Sequence, residues 1–173
     1  AIFNERVIAH CYRIVLTDDE KVPGRRMIQH HEKRIVKCAP ETMFNTILDV
    51  ESYPKFVCGC RYVQIRSRGE NQLVVDQRFR LGPISLSFAS RAVYHHSEEV
   101  IIQAIDGPFR ALEVSWKLAQ SGSSECAVEL NMQVDFSTFL LRRMISPLLS
   151  VSSRNIISLF EQRARFNTLN ERS

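Results

Sequence analysis

The sequence predicts an α+β fold. In it a long C-terminal helix lies across a curved antiparallel sheet of about six to seven strands, with a short helix after the first strand. Two observations predict the sheet. Residues 126–136 alternate without interruption: Cys126, Val128, Leu130, Met132, Val134 and Phe136 fall on one face, and Ala127, Glu129, Asn131, Gln133 and Asp135 on the other. A strand with one buried face requires that period of two. Several further segments alternate in the same way and are joined by short turns, as in a meander. A third observation predicts the helix. From Leu141 onward Met144, Ile145, Leu148, Ser152, Ile156, Leu159 and Phe160 change to helical spacing.

Taken in order, residues 1–27 read as an N-terminal extension without a clear pattern, with a polar turn over 17–24. A domain follows over 28–168, and 169–173 form a tail. Residues 30–38 read as the first strand. Pro40 then starts a short helix, with Glu41 in its first turn and Phe44, Ile47 and Leu48 as its apolar stripe. Residues 49–54 interrupt it. Leu73, Val75, Phe79 and Leu81 share one strand face, and Gly82-Pro83 makes the turn into Ile84, Leu86 and Phe88. A shorter strand covers 100–105, and Leu112, Val114, Trp116 and Leu118 alternate in the next. The final helix is expected over 138–168, about 45 Å long at 1.5 Å per residue. Pro147 either kinks it or, with Ser146, starts a second helix.

The 173 residues are 45% hydrophobic and 24% charged, with 6 Gly and 6 Pro, which excludes a disordered or low-complexity chain. No apolar run approaches the roughly 20 residues of a membrane-spanning helix. The net charge of +4 is concentrated after Ser137, where Arg142, Arg143, Arg154, Arg163, Arg165 and Arg172 face Glu161 and Glu171. That segment is either a solvated helix face or a surface for an anionic partner. Cys11, Cys38, Cys58, Cys60 and Cys126 have no disulfide-scaffold spacing, so a reducing compartment is expected. Glu5 and the run Asp18-Asp19-Glu20 argue against a transit peptide within the sequence itself.

Four stretches carry a family resemblance over roughly residues 28–166. They are Tyr53-Pro54-Lys55-Phe56-Val57 with Cys60, Asp106-Gly107-Pro108-Phe109 with Leu112 and Trp116, Val134-Asp135-Phe136, and Phe160-Glu161-Gln162-Arg163-Ala164. In this order they resemble the coenzyme Q-binding proteins of the START-like, polyketide-cyclase superfamily. The resemblance implies the helix-grip (START-like) fold. It also implies a lipid chaperone that holds ubiquinone or a late precursor and supports ubiquinone biosynthesis and respiratory electron transport. Such a protein requires no cofactor. Its partners would be the polyprenyl quinone, an anionic membrane contacted peripherally, and ubiquinone-biosynthesis enzymes or respiratory complexes. Its place would be the matrix side of the mitochondrial inner membrane, or the cytoplasm in a bacterium, where some relatives are ribosome-associated. One departure is visible: the family continues Phe-Val with Pro-Trp-Cys, whereas Cys58-Gly59-Cys60 follows here.

A polyprenyl quinone needs a long apolar cavity with few polar groups. Alternation places Val75, Phe79, Leu81, Leu86 and Phe88 on the inward face, followed by Leu112, Val114 and Trp116; Phe109 opens the same strand. From the helix come Leu141, Met144, Ile145 and Leu148. Gln77 and Ser152 are inward polar residues able to bond a quinone oxygen. The same residues would equally fill a closed core. Tyr53, Phe56 and Val57 read as a loop that either gates the cavity or tucks under its own side chains. Arg142 and Arg143, beside Phe139 and Leu140, suit an anionic bilayer surface. The same arginines suit RNA phosphates, but aromatics are sparse along the helix, so nucleic acid is not the expected partner.

An enzyme is not expected. The sequence has no Gly-x-Ser-x-Gly, P-loop or Gly-x-Gly-x-x-Gly motif. His31-Glu32 lacks the second His of a zinc protease. The pairs His30-His31 and His95-His96 lie on strands, where neighbours face opposite sides. Cys58-x-Cys60 is at most half a metal site, so no metal is expected. Three functions remain: a quinone-binding lipid chaperone, a ribosome- or protein-associated module, and a small cyclase-like enzyme, since this fold hosts all three.

Overall fold

The computed structural model describes residues 27–153 and 156–170, with side chains over 27–146 and 156–169. Residues 1–26 of the expected N-terminal extension (1–27) and the side chains of Leu148 and Ser152 therefore lie outside the described residues. Strand β1 (Ile28–Val36) leads through Ala39 into helix α1 (Pro40–Leu48), a 3-10 turn (Val50–Ser52) and a one-turn helix α2 (Tyr53–Phe56). Six strands follow: β2 (Cys60–Arg68), β3 (Gln72–Leu81), β4 (Ile84–His95), β5 (Glu99–Ala104), β6 (Phe109–Gly122) and β7 (Glu125–Phe136). Helices α3 (Phe139–Ser153) and α4 (Ile156–Asn170) close the chain.

All seven strands form one curved antiparallel sheet in the order β1-β7-β6-β5-β4-β3-β2. Six consecutive strands form the meander that short turns dictate, and β1 adds to its far edge beside β7. The expected α+β architecture is therefore present. In β7 burial alternates from Cys126 to Phe136 as the sequence pattern demands. Helix α1 has Pro40 in its first turn and buries Met43, Phe44 and Ile47. It packs against α4.

Three details depart from the sequence reading. The first strand starts at Ile28 and ends at Val36, two residues earlier at each end than expected. Segment 53–56 is helical, not a loop, because Pro54 sits in its first turn and Val57 N–H closes onto Tyr53 O at 2.8 Å. Pro147 starts no helix. It lies inside α3, and the second helical segment begins at Ile156, beyond residues 154 and 155, which lie outside the described residues.

The core forms two apolar clusters on the covered side of the sheet. The larger joins Met43, Phe44 and Ile47 of α1, Ile157, Phe160 and Ala164 of α4, and Leu73, Trp116, Val128 and Leu130 of the sheet. The smaller centres on Leu86, Met132, Val134 and Phe136 beneath Ile145 of α3. Burial of such side chains, at about 25 cal/mol per Å² of apolar surface, is the main stabilising term.

Candidate functional site: the covered face beneath α3

The two ends of the covered face are finished differently. Around α1 and α4 fully buried side chains outnumber the half-buried ones, such as Leu48, Tyr53, Phe56 and Ile156, that pack on them. At the α3 end Phe79, Leu81, Ile84, Phe109 and Leu112 of the sheet and Leu141 of α3 pack on the smaller cluster yet stay half-buried. Apolar groups on the inner face of a sheet that still meet solvent are where an apolar ligand would pack.

Register explains what lines it. Strand β3 presents Leu73, Val75, Gln77, Phe79 and Leu81 inward, and β4 answers with Ala92, Ser90, Phe88, Leu86 and Ile84. Four aromatic rings then run across the sheet. Phe79 stacks on Phe88 with centroids 6.0 Å apart. Phe88 meets Phe109 edge-on at 4.9 Å, and Phe109 meets Phe136 at 5.2 Å. Such contacts are the preferred arrangements of aromatic rings and form a continuous apolar rail, near-parallel at Phe79 and Phe88 and edge-on at Phe109.

Polar groups enter this face at two places. Gln77 Nε2 donates to Ser90 Oγ at 2.7 Å, and Ser90 is 2% exposed. On β1, His30, Glu32 and Arg34 stand opposite Met132, Leu130 and Val128, the buried row of β7, so they too face inward. His30 Nε2 and Glu32 Oε2 lie 3.6 Å apart, both buried without a hydrogen-bond partner. Arg34 donates to Ser158 Oγ of α4. His31 points the other way, as alternation demands, and bonds Asn131 at 2.5 Å. The sequence reading missed Glu32 and Ser90. Their signal is their parity, which becomes readable once β1 is known to pair with β7.

The remaining site residues scatter. Val75, Leu86, Trp116 and Ile145 are buried. Tyr53, Phe56 and Val57 pack on the larger cluster, where Tyr53 and Phe56 meet Phe160 at 5.3 and 5.2 Å and Trp116 meets it at 5.0 Å. Arg163 lies over Phe56 at 5.7 Å and donates to Ser52 Oγ at 3.4 Å. Tyr53 donates to Ile47 O at 2.5 Å, and burial pushes its hydroxyl pKa far up. Residues of three of the four resemblance stretches thus interlock here, away from α3.

On α3, Met144 is 44% exposed, not inward. Leu141 and Ile145 take the centre of the covered stripe, and Met144 falls on its flank with Phe139 (55%) and Leu140 (64%). Arg143 is exposed among them, and Arg142 lies half-buried with its guanidinium 5.7 Å over Phe139. Burial raises the thiol pKa values of Cys38 and Cys60 to about 11 and pushes that of Cys126 up. Such thiols are poor nucleophiles at neutral pH. Among the described residues no three His, Cys, Asp or Glu side chains gather to hold a metal. Among them, too, no helix is long and apolar enough to cross a membrane.

Residues 36–161 match the family described as "Polyketide cyclase / dehydrase and lipid transport". The chain belongs to that family. The polyketide cyclase and lipid-transport fold is also what its structural neighbours share. The Zhui aromatase/cyclase from Streptomyces sp. R1128 superposes with a TM-score of 0.72 at 12% identity, over 81% of this chain and 94% of that one. A START superfamily protein from Mycobacterium smegmatis gives 0.67 at 15% identity, over 79% and 97%. In sequence, the chain is 24% identical over 139 residues to the "Ribosome association toxin RatA" of Escherichia coli, covering 80% of this chain and 88% of that protein. These neighbours thus include one titled an aromatase/cyclase and one named for ribosome association.

Proposed function

We propose that the chain binds a polyprenyl quinone, ubiquinone or a late precursor, beneath α3 and acts as a lipid chaperone for ubiquinone synthesis and respiratory electron transport. The carrying observation is the half-buried aromatic rail Phe79-Phe88-Phe109 on an otherwise covered face. A flat quinone ring stacks on such a rail, and an isoprenoid tail lies along Leu81, Leu112 and Leu141. The Gln77–Ser90 pair and the inward His30 and Glu32 supply the few polar contacts a headgroup uses. Phe139, Leu140 and Met144 with Arg143 give α3 the apolar and basic composition of a surface that rests on an anionic bilayer. In a mitochondrion that bilayer is the matrix face of the inner membrane. The proposal involves no covalent step. The test is equilibrium binding of a short-chain ubiquinone to the purified chain, followed by Trp116 fluorescence. Saturable binding that Leu112→Arg abolishes without lowering the unfolding midpoint is expected; no binding by the unaltered chain contradicts the proposal.

A second reading has its own support. The relatives named above for ribosome association match four-fifths of this chain. A ribosome-associated module would use surface charge rather than the covered face. Co-sedimentation with ribosomal particles that is lost at raised salt is the outcome expected from that reading.

A further inference from the structure

The outer face of strands β2–β4 carries an arginine array that neither the covered face nor α3 accounts for. Within residues 60–95, Arg61, Arg66, Arg68, Arg78, Arg80 and Arg91 are opposed only by Glu70 and Asp76, and all six arginines are exposed. Register puts several of them on one side of the sheet. Tyr62, Arg78 and Ser87 form one outward row, and Arg80 with Ser85 the next. Arg91 stands opposite Val74 two rows away.

Two of the acids here are already engaged. Asp76 accepts two hydrogen bonds from Arg66, at 2.5 and 3.0 Å. Asp106 Oδ1 accepts from the Ala89 N–H at 2.5 Å. By contrast, the partners of Arg78 and Arg80 are neutral. Arg78 Nε donates to Ser87 Oγ at 3.2 Å, and Arg80 Nε donates to Gly82 O at 3.3 Å. Their charge is therefore uncompensated. Beside Arg78 lies an open hollow of about 520 Å³ lined by Tyr62, Asp76, Gln77, Arg78, Ser87, Phe88, Ala89, Asp106 and Gly107. Tyr62 is 45% exposed at its rim.

We infer that this face binds single-stranded RNA, with Tyr62 as a stacking platform for a base and Arg78, Arg80 and Arg91 on the phosphates. Exposed aromatics flanked by uncompensated arginines are the recurring chemistry of such sites. A bilayer is the poorer fit, because docking there needs apolar side chains that enter the acyl boundary. The outward row of β4 beside the hollow is Ser85, Ser87 and Ala89, with Val93 and Ile105 as exposed apolar side chains nearby, whereas Phe139, Leu140 and Met144 cluster with Arg143 on α3. The inference deepens the ribosome-association reading, and its contact residues Tyr62, Arg78, Arg80 and Arg91 are none of those assigned to the quinone.

The experiment is fluorescence anisotropy of a labelled 12-nucleotide poly(U) with the whole chain at a series of salt concentrations. The unaltered chain is expected to bind, with affinity falling as salt rises. The Arg78→Ala/Arg80→Ala/Arg91→Ala variant is expected to lose tenfold or more and to flatten the log–log salt slope by about 2, since each single-strand phosphate contact contributes about 0.7. Tyr62→Ala is expected to lose about tenfold with the slope unchanged. All four residues are exposed, so unfolding midpoints should hold. Absence of poly(U) binding, or a triple variant with unaltered affinity and slope, overturns the inference. A triple variant that instead loses phosphatidylserine vesicles overturns it as well and assigns the face to lipid. Ribosome co-sedimentation separates the two ideas. A chain that needs these arginines for poly(U) but ignores ribosomal particles removes the second reading and keeps this inference. One that co-sediments through other residues does the reverse.

Discussion

Gln77 Nε2 donates to Ser90 Oγ at 2.7 Å where the two apolar clusters meet. On β3, Leu73 and Val75 belong to the larger cluster and Phe79 and Leu81 to the smaller; Gln77 stands between them. On β4, Ser90 divides Ala92 from Leu86 in the same way. A buried polar pair in that position interrupts what would otherwise be one continuous core.

Ser90→Ala is expected to destabilise the chain by about 1–2 kcal/mol, because the Gln77 amide loses its partner on a covered face. Gln77→Leu combined with Ser90→Ala should cost less than the single change, since no unsatisfied group remains. Urea unfolding of the four forms measures this. The account also expects the double variant to bind quinone several-fold more weakly despite its stability.

Phe160 is 4% exposed and touches Tyr53, Phe56 and Trp116. It ties α4 to α2 and β6. Phe160→Ala should cost roughly 3–5 kcal/mol, by lost transfer and the cavity left behind. Denaturant midpoints report the cost, and a shift in Trp116 emission should accompany it.

Gly107 has φ +95°, and a Cβ there would sit 2.5 Å from Phe88 Cβ. Gly107→Ala therefore forces both an unfavourable backbone and a displaced Phe88, costing about 1–3 kcal/mol. Because Phe88 is the middle ring of the rail, quinone binding should fall more than stability does. Thermal unfolding and ligand titration on one sample separate the two effects.

Cys38 and Cys60 are buried, and their folded pKa values are raised to about 11 from an ordinary 9. The unfolded chain therefore loses these protons first as pH rises. Their contribution to stability is complete below pH 9 and is lost as the pH climbs through about 11. Unfolding free energy measured from pH 8 to 11 should decline over that window. In a Cys38→Ala/Cys60→Ala variant the decline should be shallower.

Much of the fold was legible because most strands have one buried face. The alternation from Cys126 to Phe136 survives intact in β7. Strand β2 was not legible: register shifts between Cys60 and Tyr62, and again between Ile65 and Ser67, break its period of two. In α3 helical spacing correctly put Ile145 inside, but Met144 lies at the border of the covered stripe, where spacing alone does not decide. The rail was half legible. Parity places Phe79 and Phe88 inward, whereas their contact with Phe109 depends on sheet register and on the sharp turn at Gly107. The inward Glu32 was hidden because the pairing of β1 with β7 joins the two ends of the domain. The arginine array was hidden by arithmetic. Residues 1–136 sum to zero charge, yet within residues 60–95 six arginines face only Glu70 and Asp76.

Native mass spectrometry of the chain purified from a ubiquinone-producing host, with solvent extraction of what it carries, tests the central claim most directly. The account predicts a polyprenyl quinone at close to one per chain, absent from a Phe79→Arg variant that still unfolds cooperatively. A folded chain that emerges empty and takes up no added quinone would contradict it.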